Sequence, residues 1–395
     1  MDAKPPMSNI CLFLGSVALS LVFAEGFLRL FPGLLPPEVQ QLVEDGPNNQ
    51  GVSHPYIGHL QTPYKSFVLS GTDFIATHHV DAHGFRNARP WPDRAEIVAI
   101  GDSLTFGNGV ADEQAWPAIL ARSLKRSRII NLGLVGGGTQ QYLRVYETFG
   151  MKLKPKLLLV GFFARNDFWD DAMFDRWLEW GVGGNYMVWR NFGRPRRVSF
   201  SLQRPLGSIM DVLHWNHALF SRSSYLYTLL LHARGVVRKW RPAEVKIYEF
   251  PNGTRLELFP GDFASKTVGA QPGRREFQLT LQALQRIHSI ATANGTHVLV
   301  IFQPSKEEVY LPLLGDPLPD PARPLQAALD KIGIGILDLT PIFRQRAEAG
   351  EKLFFEVDGH PNARGYALIA ELVLSHLKDN AKRYGLKDFG ESSSP

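Results

Sequence analysis

Four short polar segments of this sequence contain side chains that could together carry out acyl transfer. The first is Gly101-Asp102-Ser103-Leu104, in which a hydroxyl side chain follows an apolar run. A serine acts as a nucleophile when a base accepts its proton, a carboxylate orients that base, and N–H groups stabilise the developing oxyanion. Alone, the segment equally fits a strand-to-helix turn, so Ser103 becomes a candidate nucleophile only if the other segments supply these groups.

The second and third segments offer donors for an oxyanion. Gly136 is one of several glycines in NLGLVGGGTQQ. Such a loop can bring its backbone N–H groups close to a ligand, although these glycines also fit ordinary turns. In GFFARNDFWDD, Asn166 offers an uncharged amide donor, and Asp167 could brace the loop. Capping or Asx-turn roles are the alternative for both residues.

The fourth segment, FFEVDGHPNARGYALIAE, offers a general base. Asp358 and His360 stand two residues apart, and Pro361 restricts the backbone after the histidine. This spacing lets a carboxylate contact one ring nitrogen while the other nitrogen faces the serine. An isolated histidine is more often a surface or capping residue, but its position before the last predicted helix favours a base.

The elements that must position these segments alternate between strand and helix patterns. Five apolar runs predict strands: EIVAIG, SRIINLG, PKLLLVGFF, THVLVIF and GIGILDL. Amphipathic stretches such as TQQYLRVYETFG and EFQLTLQALQRIHSIATANG predict helices. Continuous apolar strands separated by helices indicate a parallel sheet covered on both faces. We therefore predict a three-layer α/β/α sandwich with a flavodoxin-like parallel sheet, in which the polar segments meet at the carboxyl ends of the strands.

In their order along the chain, these segments resemble the four motif blocks of the SGNH (GDSL-type) hydrolase superfamily. The resemblance covers about residues 95–170 and 350–375 and does not extend to the sequence between them. It implies the SGNH hydrolase fold and the hydrolysis of ester bonds. No cofactor is implied.

The resemblance also implies a role for each residue that matches a motif. Ser103 is the implied nucleophile and an oxyanion donor, and His360 is the base. Asp358 orients His360. The oxyanion hole is completed by the Gly136 N–H and the Asn166 amide.

One feature departs from the superfamily pattern. Many members place the aspartate three residues before the histidine, where this chain has Val357. The order Asp358-Gly359-His360, together with HGFR (His83–Arg86) and PSKEEVY (Pro304–Tyr310), resembles a bacterial membrane-anchored subgroup. The subgroup suggests a link to envelope polysaccharide or lipid acyl chemistry. Glu356 is an alternative to Asp358 as the acid.

The N-terminal sequence predicts a membrane helix. Residues 10–24, ICLFLGSVALSLVFA, are apolar apart from two serines, and EGFLRLFPGLL extends the run. Glu25 and Arg29 are one helical turn apart and can pair. A cleavable signal peptide ending near Ala24 and a buried helix of a soluble protein are the alternatives. Lys4 on the near side places the remainder of the chain in the periplasm or another extracytoplasmic compartment.

These patterns predict four parts of the chain. They are a membrane anchor over 1–35, a lead-in segment over 36–94 with local β-like runs, a catalytic domain over 95–385, and a tail over 386–395. The catalytic domain carries an insertion at about 170–275 that we expect to be mostly helical, because LGSIMDVLHWNHALF and SYLYTLLLHARGVVRKW have helical patterns.

Composition and motif content argue against several other functions. The 43 basic and 38 acidic residues of the 395-residue chain give a net charge of +5, and the basic residues form short clusters without the stripe typical of nucleic-acid binding. Cys11 is the single cysteine, so no intrachain disulfide can form. His78, His79 and His83 lack the spacing of a metal-ligand set, and we find no dinucleotide or phosphate-loop motif. We expect neither metal nor cofactor.

The sequence therefore predicts a membrane-anchored serine esterase that hydrolyses O-acyl bonds of an envelope carbohydrate or lipid through an acyl-serine intermediate. An O-acyltransferase of an envelope polysaccharide would use the same residues and differ only in its acceptor. A catalytically silent polysaccharide-binding scaffold is the third hypothesis, and the complete set of candidate residues argues against it. The oligomeric state is left open.

Overall fold

A computed structural model of the chain describes ten ranges of residues: 7–36, 39–40, 51–70, 73–88, 90–124, 128–179, 186–192, 224–230, 245–316 and 318–386. The chain divides into two compact units. The sheet unit consists of 51–190 and 243–395, and the N-terminal unit consists of 1–50 and 191–242. All of the candidate site residues belong to the sheet unit. The predicted insertion at about 170–275 is divided between the two units.

The strands of the sheet unit are β1 (Val52–His54), β2 (Gly58–Leu60), β3 (Ser66–Ser70), β4 (Ile75–His79), β5 (Ile97–Gly101), β6 (Ile129–Gly133), β7 (Leu157–Phe162), β8 (Lys246–Glu249), β9 (Arg255–Leu258), β10 (His297–Phe302) and β11 (Gly335–Asp338). The helices, in chain order, are α1 (Met7–Leu30), α2 (Ser103–Phe106), α3 (Trp116–Ser123), α4 (Thr139–Thr148), α5 (Asp167–Glu179), α6 (Tyr186–Phe192), α7 (Pro260–Thr267), α8 (Arg275–Ala293), α9 (Lys306–Tyr310), α10 (Arg323–Asp330), α11 (Thr340–Glu348) and α12 (Ala363–Asp379).

Five strands form a parallel sheet in the order β11-β10-β7-β5-β6. They are the five strands predicted from the apolar runs. β5 lies between β6 and β7, and Ala99 at its centre is opposite both Asn131 and Leu159. This is the flavodoxin-like order, in which the first strand pairs with the second on one side and the third on the other. The predicted parallel sheet flanked by helices is confirmed.

The two faces of β5 pack against different helices. Ile97 and Ala99 belong to a buried apolar cluster that includes residues of α3 and α12. Val98 and Ile100 belong to a second cluster that includes residues of α4 and α8. Because alternate side chains of a strand point to opposite faces, the continuous apolar sequence of β5 is what a strand buried on both faces requires.

In the ranges that the structure describes, three antiparallel hairpins stand outside the parallel sheet: β1 with β2, β3 with β4, and β8 with β9. The second pairs the β-like runs of the lead-in segment, with Phe67 opposite His78. The third lies within the predicted insertion, whose described part therefore contains strands as well as helices. Of the long helical pattern predicted there, only 224–230 lies within the described residues, and 225–230 are helical.

In the N-terminal unit, α1 coincides with the apolar run. The expected pair forms, since Arg29 Nε donates to Glu25 Oε1 at 2.8 Å. The other Glu25 oxygen accepts from Ser224 Oγ at 2.8 Å and from the Leu226 N–H at 3.0 Å, so Glu25 caps helical residues 225–230. Within the described part of the chain, no helix has both the length and the apolar character needed to cross a membrane. The predicted transmembrane helix is not confirmed.

Candidate active site

Ser103 begins α2 immediately after β5, at the carboxyl edge of the sheet. Asp102 caps this short helix, because its Oδ1 accepts the Leu104 N–H at 2.9 Å. The helix packs directly on the end of β6, where a Cβ on Gly133 would lie 2.3 Å from the Phe106 nitrogen. Glycine at this position therefore lets the serine-bearing turn lie against the sheet.

Arg86, from the HGFR element, holds the loop that follows α2. Its Nη2 donates to the Val110 carbonyl at 2.6 Å, and its Nη1 donates to the Gly107 carbonyl. Its Nε donates to Asp112 Oδ1 at 2.5 Å. The guanidinium is buried, so these contacts satisfy a charge that would otherwise be costly to remove from water. HGFR therefore has a structural role close to the serine.

Ser103, His360 and Asp358 form a continuous hydrogen-bonded chain. The distance from Ser103 Oγ to His360 Nε2 is 2.8 Å, and that from His360 Nδ1 to Asp358 Oδ1 is 2.6 Å. Asp358 Oδ1 also accepts the backbone N–H of His360 at 2.9 Å, so the two-residue spacing closes a compact turn. Burial acts to raise the pKa of Asp358, but the hydrogen bonds and charge of His360 lower it overall. An ionised Asp358 favours the proton on Nδ1 and leaves Nε2 to accept from the serine.

Glu356, the alternative acid, points elsewhere. Its Oε1 accepts from Lys352 Nζ at 2.6 Å, and its side chain is 51% exposed. Val357 occupies the position where many superfamily members have the aspartate, and its N–H donates to Asp73 Oδ2 at 2.8 Å. Of the two candidate carboxylates, Asp358 is the one in contact with His360.

Asn166 lies in the turn between β7 and α5, next to Asp102. Burial raises the pKa of Asp102 to about 6, while the hydrogen bond from the Leu104 N–H and the nearby Asn166 side chain act to lower it. Among the described residues, Asn166 Oδ1 has no hydrogen-bond partner. The amide of Asn166 is thus close to the turn that carries Ser103.

Gly136 lies in the glycine-rich loop after β6, with a φ of 70° that favours glycine. A Cβ at this position would lie 3.0 Å from Met187 Sδ and 3.5 Å from Arg190 Cζ. Arg190 is in turn held by Asp170, whose Oδ1 accepts from Arg190 Nε at 2.7 Å. Helix α6 therefore covers this loop, a contact that the sequence did not predict because the helix lies in a segment without recognised motifs.

Buried carboxyl groups brace the two loops. Asp167 accepts from the Tyr142 hydroxyl at 2.7 Å, in agreement with the bracing role considered for it. Asp171 accepts from the hydroxyls of Thr139 and Thr280, both at 2.6 Å. Burial raises the pKa of Asp171 to about 6, and it raises the pKa of Asp167 well above the usual range together with the charge of Asp102.

The three histidines of the lead-in segment have separate environments. His78 is buried between two phenylalanine rings, and burial lowers its pKa to about 3. His79 contacts the Asp112 carboxylate, and His83 stacks on Trp91. In the described ranges, no group of three or more His, Cys, Asp or Glu side chains is arranged to hold a metal ion.

Two further side chains bind the backbone of the segment that carries Asp358. Asp73 accepts the N–H groups of Val357 and Asp358, and Lys306 Nζ donates to carbonyl groups of the same segment. Neither was a predicted site residue. Lys306 lies in the PSKEEVY element that the sequence singled out without a role, whereas no local pattern marks Asp73.

Comparison with known proteins places the chain in a family. The model of the GDSL-like lipase/acylhydrolase family matches residues 99–368. This range contains the serine turn, the glycine-rich loop, the asparagine turn and the Asp358–His360 turn. The chain belongs to this family, within the SGNH hydrolases, and is a hydrolase that acts on ester bonds. No curated protein sequence matches it.

Solved structures with a similar fold include three esterases or lipolytic proteins. One is a member of the lipolytic G-D-S-L family from Veillonella parvula DSM 2008, at 13% identity over 71% of this chain and 97% of that chain, with a TM-score of 0.36. A catalytic mutant of an acetylxylan esterase from Geobacillus stearothermophilus has 10% identity over 76% and 98%, with a TM-score of 0.34. A two-domain esterase active on acetylated mannans has 9% identity over 75% and 52%, with a TM-score of 0.35.

Proposed function

We propose that this hydrolase removes O-acyl groups from a carbohydrate or lipid of the cell envelope, with Ser103 as its nucleophile. The contact that carries the proposal is the chain from Ser103 Oγ through the imidazole of His360 to Asp358, with distances of 2.8 and 2.6 Å. Each group meets the requirement of nucleophilic catalysis: a hydroxyl, a base within hydrogen-bond distance, and a carboxylate that orients the base.

Acylation begins when Ser103 Oγ bonds to the ester carbonyl carbon and His360 Nε2 accepts the hydroxyl proton. The carbonyl π electrons move to the oxygen, giving a tetrahedral oxyanion. When this intermediate collapses, the bond between the carbon and the alkoxy oxygen breaks, and the imidazolium returns its proton to that oxygen. Asp358 stabilises the transient imidazolium through Nδ1.

Deacylation repeats these steps with water. His360 accepts a proton from the water as its oxygen bonds to the acyl carbon. The bond to Ser103 Oγ then breaks, the serine regains its proton from the imidazolium, and a carboxylic acid leaves. In both steps we propose that the oxyanion is bound by the N–H groups of Ser103 and Gly136 and by the amide of Asn166. Such preorganised donors stabilise the transition state more than the ground state.

The decisive experiment compares the full chain with its Ser103→Ala variant on p-nitrophenyl acetate. We expect turnover in the parent protein and a loss of about 10⁴-fold or more in the variant. A fluorophosphonate probe should attach to Ser103 in the parent and leave the variant unlabelled. Equal turnover in the two proteins would contradict the assignment of Ser103.

The acceptor distinguishes an esterase from an acyltransferase. With an O-acetylated polysaccharide as donor, we expect release of free acetate that is unchanged when sugar acceptors are added. Acetylated acceptor in place of free acetate would show that the acyl-serine passes its group to a hydroxyl other than water. The corresponding assay with an acylated lipid identifies which of the two substrate classes reacts faster.

We further propose that the chain is attached to a membrane through its N-terminal helix, with the catalytic part in the periplasm or another extracytoplasmic compartment. Large apolar side chains that α1 exposes to solvent, including Val22, Phe23 and Leu30, support the attachment. In fractionated cells, the full chain should stay with the membranes after carbonate washing. Protease added outside the cytoplasmic membrane should degrade it. Recovery of the chain in a soluble fraction would contradict the attachment.

A further inference from the structure

The segment from Glu356 to Asp358 is held on both of its hydrogen-bonding sides by buried or half-buried side chains. Its carbonyl groups face Lys306, whose Nζ donates to those of Val357 at 2.6 Å, Asp358 at 3.2 Å and Glu356 at 3.3 Å. Its N–H groups face Asp73, which accepts from Val357 at 2.8 Å and from Asp358 at 3.2 Å. Together these five hydrogen bonds fix the backbone directly before His360.

Lys306 is an unusual residue to bury in this way. Its side chain is fully buried, and the ammonium lies 5.4 Å from the centre of the Phe259 ring. Burial lowers the pKa of Lys306 to about 8, while the carboxylates of Glu307, Asp358 and Asp73 act against this and Arg165 adds to it. An amine kept in such a place uses its donors on carbonyl groups rather than on water.

Asp73 complements the lysine. A carboxylate that accepts two consecutive N–H groups holds the peptide plane between them in one orientation. That plane precedes the Asp358 side chain, whose Oδ1 must accept both the N–H and the Nδ1 of His360. A small rotation of the segment would move this carboxylate out of line with the imidazole, and misplacement of a catalytic group by about 1 Å can cost about 10²-fold in rate.

We propose that Lys306 and Asp73 are positioning residues that hold the Asp358 carboxylate on His360, and so set the orientation of the base during catalysis. This inference rests on the proposed roles of Ser103, His360 and Asp358. Neither side chain has a hydrogen bond to the serine. Both bind the backbone of the Asp358 segment, and the charge of Lys306 also acts on the Asp358 carboxylate. Their removal should therefore lower kcat while KM stays nearly constant, because substrate binding does not depend on the direction of the imidazole.

The test is a double-mutant cycle on p-nitrophenyl acetate, with the rate of Ser103→Ala subtracted. Lys306→Met and Asp73→Asn should each lower kcat by about 10- to 100-fold in the parent protein, the loss expected when a catalytic group is misplaced by up to about 1 Å. In an Asp358→Asn background the same substitutions should lower kcat by less than about 3-fold, because the carboxylate that they position is already gone. A full loss in that background, or no loss in the parent, would overturn the proposal.

Lys352→Met is the matched control. It also removes a lysine side chain that contacts a residue of this segment. Among the described hydrogen bonds, the Lys352 side chain donates to the exposed Glu356 carboxylate, and we expect kcat within about twofold of the parent. Circular dichroism and the unfolding temperature establish that each variant is folded. If Lys306→Met does not fold, Asp73→Asn decides the outcome, since it keeps the size of the side chain and one acceptor oxygen. Activity that persists in Ser103→Ala would instead contradict the proposed function. This outcome is distinct from a failure of the double-mutant cycle, which would contradict only the roles of Lys306 and Asp73.

Discussion

Aspartates on the two sides of the Ser103–His360 hydrogen bond have pKa values shifted in opposite directions. On the serine side, burial raises the pKa of Asp102 and Asp171 to about 6. On the histidine side, burial has the same tendency, but the contacts with His360 and the charge of Lys306 lower the pKa of Asp358 overall. An aspartate thus holds its proton to a higher pH in the first region and gives it up at a lower pH in the second.

The two regions are also built in different ways. The serine turn follows a buried strand, and its position is set by sheet register and by a helix packed on glycine. The Asp358 segment has no regular structure, and polar side chains from distant parts of the chain hold it. The proposed nucleophile is therefore positioned by the sheet and the helix that follows β5, whereas the segment that orients the proposed base is held by side-chain contacts.

The largest effect should come from the residue that joins the two regions. His360→Ala removes the only base in contact with Ser103 among the described residues, and we expect kcat to fall by about 10⁴-fold or more. Steady-state kinetics on p-nitrophenyl acetate measure this fall in kcat. His297→Ala, at an exposed position at the start of β10, serves as the control and should keep full activity.

On the histidine side, substitutions of Asp358 and Glu356 show which of the two carboxylates acts with His360. Asp358→Asn should lower kcat by about 10³- to 10⁴-fold, because the amide no longer stabilises the imidazolium. Glu356→Gln should leave kcat unchanged, since its carboxylate contacts Lys352 and not His360. The reverse order of effects would assign the acid to Glu356.

On the serine side, Asn166, the proposed oxyanion donor, should matter less than His360, the proposed base. We expect Asn166→Ala to lower kcat by about 10²- to 10³-fold with little change in KM, as expected when one oxyanion donor is lost. Asn166→Asp, which replaces the donor with an acceptor, should be at least as damaging. If KM rises while kcat is unchanged, Asn166 binds the ground state and the transition state equally and is not an oxyanion donor.

The contacts of Arg86 that support the serine side should contribute to the free energy of unfolding. Arg86→Met leaves the buried carbonyl groups of Gly107 and Val110 and the Asp112 carboxylate without their cationic partner. We expect a loss of about 3 kcal/mol in the free energy of unfolding, measured with urea. Arg346→Met, which breaks an exposed pair with Glu351, should cost about 0.5 kcal/mol or less. Equal losses would mean that the burial of Arg86 has no energetic consequence.

The smallest expected effect is a change in the pH dependence of stability, which tests the raised pKa of Asp171. The pKa of Asp171 is about 6 in the folded chain, which is above its value in the unfolded chain. Between pH 4 and pH 6 the folded chain therefore binds more protons at this carboxyl than the unfolded chain does, and the stability that Asp171 contributes is lost as the pH rises through this range. Between pH 5 and pH 7.5, the free energy of unfolding should therefore fall by about 1 kcal/mol more in the parent than in Asp171→Asn. Parallel pH dependences in the two proteins would contradict the raised pKa.

The sequence predicted much of the serine side and less of the histidine side. Apolar runs identified the five parallel strands, and the order of the polar segments led to Ser103 and His360, because strand ends in a parallel sheet meet at one edge. The contacts of Asp73, Lys306 and Arg190 were not predictable. The Asp73 carboxylate reaches Val357 across 284 residues of sequence, and no periodicity or motif links positions so far apart. A segment held by such side chains leaves no local pattern from which its partners can be inferred.

The distance along the chain between the serine and its base has a consequence for synthesis. Ser103 and His360 are 257 residues apart, and the histidine directly precedes the last helix. All five strands of the sheet are synthesised before the histidine, so the sheet can begin to pair while the candidate site has no base. Helix α12 follows the histidine and contributes residues such as Tyr366 and Ile369 to one of the two buried clusters. A chain that stops short of His360 should therefore lack both the proposed base and part of the core that flanks the sheet.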